Sequence, residues 1–439
     1  MSFKGGVHPP GFKNLSKDCA IRPISPPRQV TIPLVQHIGT PCVPQVKIGD
    51  EVKRGMVIGD SEKFISCPVH ASISGKVKAI KKFDHPVTRS AQAIVIESDG
   101  KDEYLSLPSG PKQDMDNITP DKIRQIVKDA GIVGMGGAAF PTHVKLTPPK
   151  HKKIDTFILN GAECEPYLTC DERVMIEKAD QVLKGALLIM KTLELEKGYV
   201  AIEDNKPAAI RVVSEAIRRV QGTGYRVQIK VLHTKYPQGG EKQLIKAVVG
   251  REVPPGGLPF DVGCKVGNVQ TALAIYKAVY EAKPLYERVI TVTGDAIKEP
   301  SNLLVRIGTN LSHIIEQCGG LHKDLGKIIS GGPMMGIAQF TSDIPVIKGT
   351  SGILLLSADS AKIFSPEYCI RCGKCIESCP VNLMPSSIVK AAEYNRFDIA
   401  GELNAADCIE CGCCSYVCPS KIPLVQYIKH AKRRLLCPI

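Results

Sequence analysis

Toward its C-terminal end the chain carries two runs with one cysteine spacing, "CIRCGKCIESCP" at 369–380 and "CIECGCCSYVCP" at 408–419. Each follows C-x2-C-x2-C-x3-C-P: Cys369, Cys372, Cys375 and Cys379 in the first, then Cys408, Cys411, Cys414 and Cys418 in the second. A cubane [4Fe-4S] cluster needs four thiolates at one point, and in this spacing three come from one run and the fourth from the other. Two clusters are therefore expected. The first is held by Cys369, Cys372, Cys375 and Cys418, the second by Cys408, Cys411, Cys414 and Cys379. Structural zinc is the rival, but zinc closes with four ligands at C-x2-C pairs and has no use for a third x2 step or a trailing Pro. Cys413 sits beside Cys414 and is the spare residue, because only Cys414 keeps the x2 step from Cys411; a buried, small apolar role suits it.

The 439 residues suffice for three or four domains, each with its own core. Of 17 cysteines the clusters claim eight, and the rest show no pairing pattern. Thiolate-held iron implies a reducing compartment and free thiols. The opening "MSFKGGVHPPGFKN" lacks the apolar centre of a signal peptide, and no stretch approaches 18 uninterrupted apolar residues, so the chain is expected not to span a membrane. The formal net charge of +13 falls to roughly +9 once two clusters are assembled, each adding about 2 negative charges. The basic residues are dispersed, the densest run being "KHAKRR" at 429–434, which reads as a solvated helix face or a docking tail. Few aromatics and no Trp argue against nucleic acid.

Clusters pass single electrons, whereas most metabolic donors give pairs, so a flavin is expected upstream. In "TPDKIRQIVKDAGIVGMGGAAFPTHVKLT" (119–147) an amphipathic helix capped by Thr-Pro ends at Gly131. Gly134, Gly136 and Gly137 follow, and a new helix is expected near Ala138. Glycines ahead of a helix let backbone N–H groups converge on a phosphate. An expected buried strand, "IDTFILN" (154–160), leads to Asn160, Glu163 and Glu165 at its carboxyl end, the ligand edge of an α/β sheet. "YPQGGEKQL" (236–244) and "VGNVQTALAIYKAV" (266–279) each place a turn before a helix.

The set "GMGGAAFPTHVKL", "NGAECEPY", "YPQGGEKQ" and "GNVQT", in this order, resembles the FMN and NADH site of the 51-kDa flavoprotein subunit of respiratory complex I. With the ferredoxin-like runs behind it, nearly the whole chain resembles the C subunits of Rnf-type electron-transport complexes. The resemblance implies that Gly134, Gly136, Gly137 and Lys145 meet the FMN phosphate region and ring. It implies Asn160 and Glu163 along the flavin, Glu165 near the nicotinamide, Tyr236, Gly239 and Glu241 on the opposite wall, Asn268 and Thr271 at the phosphate end, and Phe140 on the adenine. The chain departs from the complex I pattern at Met135 and Ala162, which replace an Arg and an Asp. Hydride transfer belongs to the cofactor and needs no catalytic acid or base.

The expected architecture is multidomain α/β and α+β. A barrel-sandwich, lipoyl-like domain spans 1–105, a polar linker 106–120, a Rossmann-like FMN/NADH domain 121–287, a β-grasp module 288–345, a dicluster ferredoxin-like domain 360–425 and a basic tail 426–439. In the first domain Lys63 is the one candidate for a carrier lysine, and an unmodified docking domain is expected. "GGPMMG" (331–336) reads as a β-grasp turn. The family resemblance implies an NAD(H)-linked subunit with non-covalent FMN and two [4Fe-4S] clusters. It further implies membrane subunits and an iron-sulfur subunit as partners, a peripheral place on the cytoplasmic face, and coupling of ferredoxin and NAD to Na+ or H+ movement in the whole complex. The alternatives are a soluble cobalamin reductase of similar modules and an iron-sulfur protein that binds nucleic acid.

Overall fold

The computed structural model describes residues 2–105, 117–149, 151–220 and 224–436. Most of the expected linker, 106–116, and the last three residues of the basic tail lie outside them.

Alternating apolar residues in Gln29–Pro33, Gly75–His85 and Arg89–Ser98 build a four-stranded sheet with Glu51–Val52. A smaller sheet of Val43–Pro44, Val57–Asp60 and Val69–His70 closes over it. Ile32, Ile58, Ile94 and Ile96 fill the space between the two sheets. Lys63 is exposed in the bend that follows Asp60, and the neighbouring Phe64 carbonyl accepts a hydrogen bond from His143 Nε2 at 3.1 Å. The bend thus rests on the next domain.

In that domain four parallel strands lie in the order Arg226–Leu232, Lys197–Glu203, Thr156–Gly161, Cys264–Asn268. In chain order this is 3-2-1-4, so the direction of winding reverses between Thr156–Gly161 and Cys264–Asn268. A crevice opens beyond the carboxyl ends of strands at such a point. The helices Ala179–Thr192 and Val269–Glu281 cover one face, in contact through Gly185. A Cβ on Gly185 would stand 1.9 Å from the Ala272 carbonyl oxygen, so the close helix approach needs glycine there. The helix Pro120–Asp129 carries its Thr119 cap, which accepts from the Lys122 N–H at 3.3 Å. The next helix does not begin near Ala138. It spans only Thr142–Lys145, because Ala139 holds a left-handed φ of 52° and Val133 pairs with Pro141 before the helix starts.

The third domain is a mixed sheet of Glu287–Thr293, Ser301–Arg306, Leu325–Ser330, Ile337–Gln339 and Gly352–Ser357, with helix Leu311–Gln317 packed on it. The strand Gly352–Ser357 lies between two others, beyond the expected end of this module at 345. Ile21–Pro23, from the opening segment, adds parallel to Ser301–Arg306 at the sheet edge.

Short helices and turns form the last domain. Its core holds Ile388, Ala392, Leu424 and Ile428 together with Cys379, Cys414 and Cys418. It docks on the α/β domain: Gln243 Nε2 donates to the Pro380 carbonyl at 3.2 Å, and the Gly256 N–H donates to Asp407 Oδ1 at 2.8 Å.

Candidate functional site

The carboxyl ends of Thr156–Gly161 and Cys264–Asn268, the glycine loop and the segment 236–243 enclose a cavity of about 450 Å³. Gly134, Gly136, Gly137, Phe140 and Lys145 line one side; Asn160, Glu163 and Glu165 line the strand ends. Tyr236, Gly239 and Glu241 form the facing wall, and Asn268 and Thr271 close the end by helix Val269–Glu281.

Many of these side chains hold one another in place. Asn160 Nδ2 donates to the Gly239 carbonyl at 2.9 Å and its Oδ1 accepts from the Ala162 N–H at 3.0 Å, fixing two walls together. Glu163 accepts from the backbone N–H groups of Asp171 at 2.9 Å and Glu172 at 3.2 Å, at the start of helix Cys170–Glu177. Glu165 accepts from the N–H groups of Met334 at 3.1 Å and Met335 at 2.8 Å. The turn at 331–336 is therefore a hairpin turn of the third domain, tied down onto the cavity by Glu165. Burial pushes both Glu163 and Glu165 up to about 7.

Asn268 and Thr271 are spoken for. Asn268 Oδ1 caps its helix by accepting from the Gln270 N–H at 2.8 Å, and its Nδ2 donates to Asp171 Oδ2 at 2.6 Å. Thr271 Oγ1 accepts from the Met135 N–H at 2.9 Å, which anchors the glycine loop. Gly136, at a φ of 75°, lies over the Asn268 side chain, where a Cβ would come to 2.5 Å. Gly137 faces open space.

Two residues that sequence reasoning passed over also line the cavity. Asp171 accepts from Asn268 and Gln270, and nothing local in "YLTCDERVM" marks it. Lys265 comes from the strand Cys264–Asn268, just ahead of the segment read at 266–279.

The cysteines divide between two further cavities. Cys369, Cys372, Cys375 and Cys418 line an open one of about 1120 Å³; Cys379, Cys408, Cys411 and Cys414 line a nearly closed one of about 20 Å³. Each holds one of the two expected sets, one residue in each having crossed from the other run. Cys413 borders the closed cavity too, but it is fully buried with Val7 and Tyr236 and stands outside the core that holds Cys414.

The closed set abuts the cavity at the strand ends, since Ile409 and Cys411 form part of its wall. Tyr236, 1% exposed, donates its hydroxyl to the Cys411 carbonyl at 2.8 Å. A strap of residues 6–16 seals this contact. The Gly6 N–H donates to the Ser378 carbonyl at 2.8 Å, Val7 pairs with Tyr236, and Lys13 Nζ donates to the Glu165 carbonyl at 3.0 Å. Ser16 Oγ lies 2.8 Å from Thr169 Oγ1, and Asn302 donates to the Ser16 carbonyl at 2.8 Å.

A switch-point crevice that abuts one set of four spaced cysteines, with a second set in the same domain, defines a class of protein that moves electrons between a nucleotide-type cofactor and iron-sulfur clusters. Comparison with known proteins agrees. Residues 1–101 match the RnfC barrel sandwich hybrid domain, 127–277 the Nuo51 FMN-binding domain, 289–338 the SLBB domain and 361–419 the 4Fe-4S dicluster domain. The chain is 50% identical over 437 residues to the C subunit of the Na(+)-translocating ferredoxin:NAD(+) oxidoreductase complex of Acetobacterium woodii, covering 99% of this chain and 97% of that one. It is 51% identical to the C subunit of the proton-translocating ferredoxin:NAD(+) oxidoreductase complex of Clostridium ljungdahlii, covering 98% and 93%. An NAD+-reducing [NiFe]-hydrogenase in its H2-reduced state shares the fold with a TM-score of 0.52 at 18% identity, covering 72% of this chain and 61% of that one. The chain belongs to the family of C subunits of ion-translocating ferredoxin:NAD(+) oxidoreductase complexes.

Proposed function

We propose that this chain is the NAD(H)-reacting subunit of a membrane-associated Rnf electron-transport complex. FMN and NAD(H) occupy the cavity at the strand ends and a [4Fe-4S] cluster sits in each cysteine set. In the whole complex the electron path links ferredoxin and NAD and drives Na+ or H+ movement. Full-length similarity to complex subunits favours this over a soluble cobalamin reductase. The residues fit these groups. The cysteines converge four and four, the cavity has the size of a cofactor pocket, and its glycine loop offers open backbone next to lysines.

When bound, the FMN accepts or gives electrons in pairs with NAD(H) and singly with the clusters. The protein holds the parts in order. Asn160 ties the strand end to Gly239, Glu165 ties the third domain to the rim, and Tyr236 ties the cavity wall to Cys411. The observation that carries the reading is this last contact, which sets the closed cysteine set against the nucleotide cavity. The open set then faces outward as the exit toward an iron-sulfur partner subunit. Among the described residues no helix is long and apolar enough to cross a membrane, so the ion path belongs to other subunits. We place this subunit on the cytoplasmic face.

An anaerobic visible spectrum with iron, zinc and FMN assays, followed by NADH titration, tests the reading. The expected result is about eight irons and one FMN per chain, with both chromophores bleached by NADH. Clusters without FMN, inert to NADH, would overturn the cavity assignment.

A further inference from the structure

The basic run at 429–434 is not a separate tail but the last part of helix Leu424–Leu436. Its arginines are exposed, Arg434 lying 6.0 Å from the Phe397 ring, and His430 packs on the same ring at 5.4 Å. The lysines of the run turn elsewhere. Val425 and Ile428 of this helix border the closed cysteine set. Lys429 and Lys432 stand four residues after them, one turn along the same face. Lys432 Nζ donates to the carbonyl of Cys408, one of that set, at 2.7 Å.

Glu410 meets both lysines. Its Oε2 is 3.4 Å from Lys429 Nζ and its Oε1 is 3.3 Å from Lys432 Nζ. Its own N–H donates to Cys408 Sγ at 3.4 Å, from a backbone at a left-handed φ of 58°. In the first run Arg371 holds the same place, with a φ of 55°, and lines the open cavity. One turn thus carries opposite charges at the two sites. The neighbouring acid, Asp407, accepts from the Gly256 N–H at 2.8 Å and so faces the α/β domain. Beside Cys408 two ammonium groups answer one carboxylate, and all three are half-buried, so water and salt screen them only in part.

The potential of a [4Fe-4S] cluster depends on the charge around it and on hydrogen bonds to its sulfurs. An added electron makes the cluster more negative. A nearby ammonium therefore favours the reduced state and a nearby carboxylate the oxidised one.

We propose that Lys429 and Lys432, set against Glu410, form a charge clamp that fixes the midpoint potential of the closed cluster, Lys432 raising it and Glu410 lowering it. The clamp rests on the reading above only in needing a cluster in the closed set; it does not need FMN or NAD(H) in the cavity.

The test uses the full chain with its clusters, titrated with dithionite and redox mediators, without NADH, and followed by electron paramagnetic resonance. Lys432→Met, Lys432→Arg and Glu410→Gln are compared with the wild type, and iron content checks that each is loaded. Lys432→Met should disfavour reduction of one cluster roughly 3- to 10-fold, tenfold being about 59 mV for one electron. Lys432→Arg keeps the charge and should stay near the wild type. Glu410→Gln should move the same cluster the opposite way, and that signal should be the one absent from Cys411→Ser. Loosening of the helix would move Lys432→Met and Glu410→Gln in one direction. Shifts of one sign in those two variants, no shift in either, or a shift in the signal that survives Cys411→Ser overturns the clamp. Should Lys432→Met lose iron, the sign of the Glu410→Gln shift decides alone. If the expected shifts appear in a chain whose clusters ignore NADH, the clamp stands while the proposed function fails; a chain that takes up no iron overturns both.

Discussion

Cys369 and Cys372 are exposed, with Tyr368 beside them 95% exposed; Cys411 and Cys414 are buried, and Tyr236, 1% exposed, lies against Cys411. Both pairs belong to runs with one spacing, so the motif sets what is bound and the neighbouring domains set what each site is for. The closed site gained a lid because the segment 236–243 and the strap at residues 6–16 both fold against it. No segment covers the open site among the described residues, and the apolar Ile370 on its rim stays in water.

The sharpest way to break the comparison is to remove one ligand from each site. Cys411→Ser should lower iron from about eight to about four per chain and leave the remaining cluster unreduced by NADH, because the link next to the cavity is gone. Cys372→Ser should lose as much iron yet keep an NADH-reducible cluster. Electron paramagnetic resonance after NADH addition reads both; NADH reduction surviving equally in the two variants would show that the sites are not in series.

Exposure itself predicts the next effect. Under ferricyanide and a chelator, iron should leave in two phases, about half quickly from the site of Cys369 and Cys372 and the rest at least tenfold more slowly. A single phase would mean that Tyr236 and the strap do not shield the closed site.

Tyr236→Phe sharpens the comparison further. It leaves the buried Cys411 carbonyl without its donor, which costs about 1–3 kcal/mol, and should shift the midpoint potential of one cluster while the other stays put. Equal shifts in a redox titration would argue for a general loosening.

The smallest effect concerns Glu165, on the cavity wall near Tyr236. Burial raises it from 4.5 to about 7, so between those values the folded chain keeps a proton that the unfolded chain has released. Its contribution to stability therefore falls as pH rises through that window and is level above it. Glu165→Gln lacks this proton. In urea titrations the difference from wild type should move in the variant's favour from pH 4.5 to 7; a constant difference would place the carboxylate in water.

What could be read from the sequence was local. Cysteine spacing alone divided eight thiols into two sets, and the Thr119–Pro120 cap and the strand at 156–161 follow from short patterns. The glycine loop was visible, but not the four-residue length of the helix after it, since the left-handed turn at Ala139 has no glycine to announce it. Glu165 was legible as a cavity residue, whereas its hold on Met334 and Met335 depends on a distant turn. Lys265 escaped because it stands just ahead of the turn-and-helix segment at 266–279 and belongs to no pattern of its own. The strap carries no periodicity at all; "GGVHPPGFKN" became meaningful only through its contacts.

Those contacts have a consequence for biosynthesis. Gly6 and Val7 leave the ribosome long before Ser378, and Tyr236 is made before Cys411, so the seam between cavity and closed site cannot shut until the last domain has emerged. Contacts this distant in sequence form late and slowly. Cysteines that must still receive iron thus meet a fold whose final closure awaits them, and a chain halted before residue 378 is left with a loose strap and an open wall.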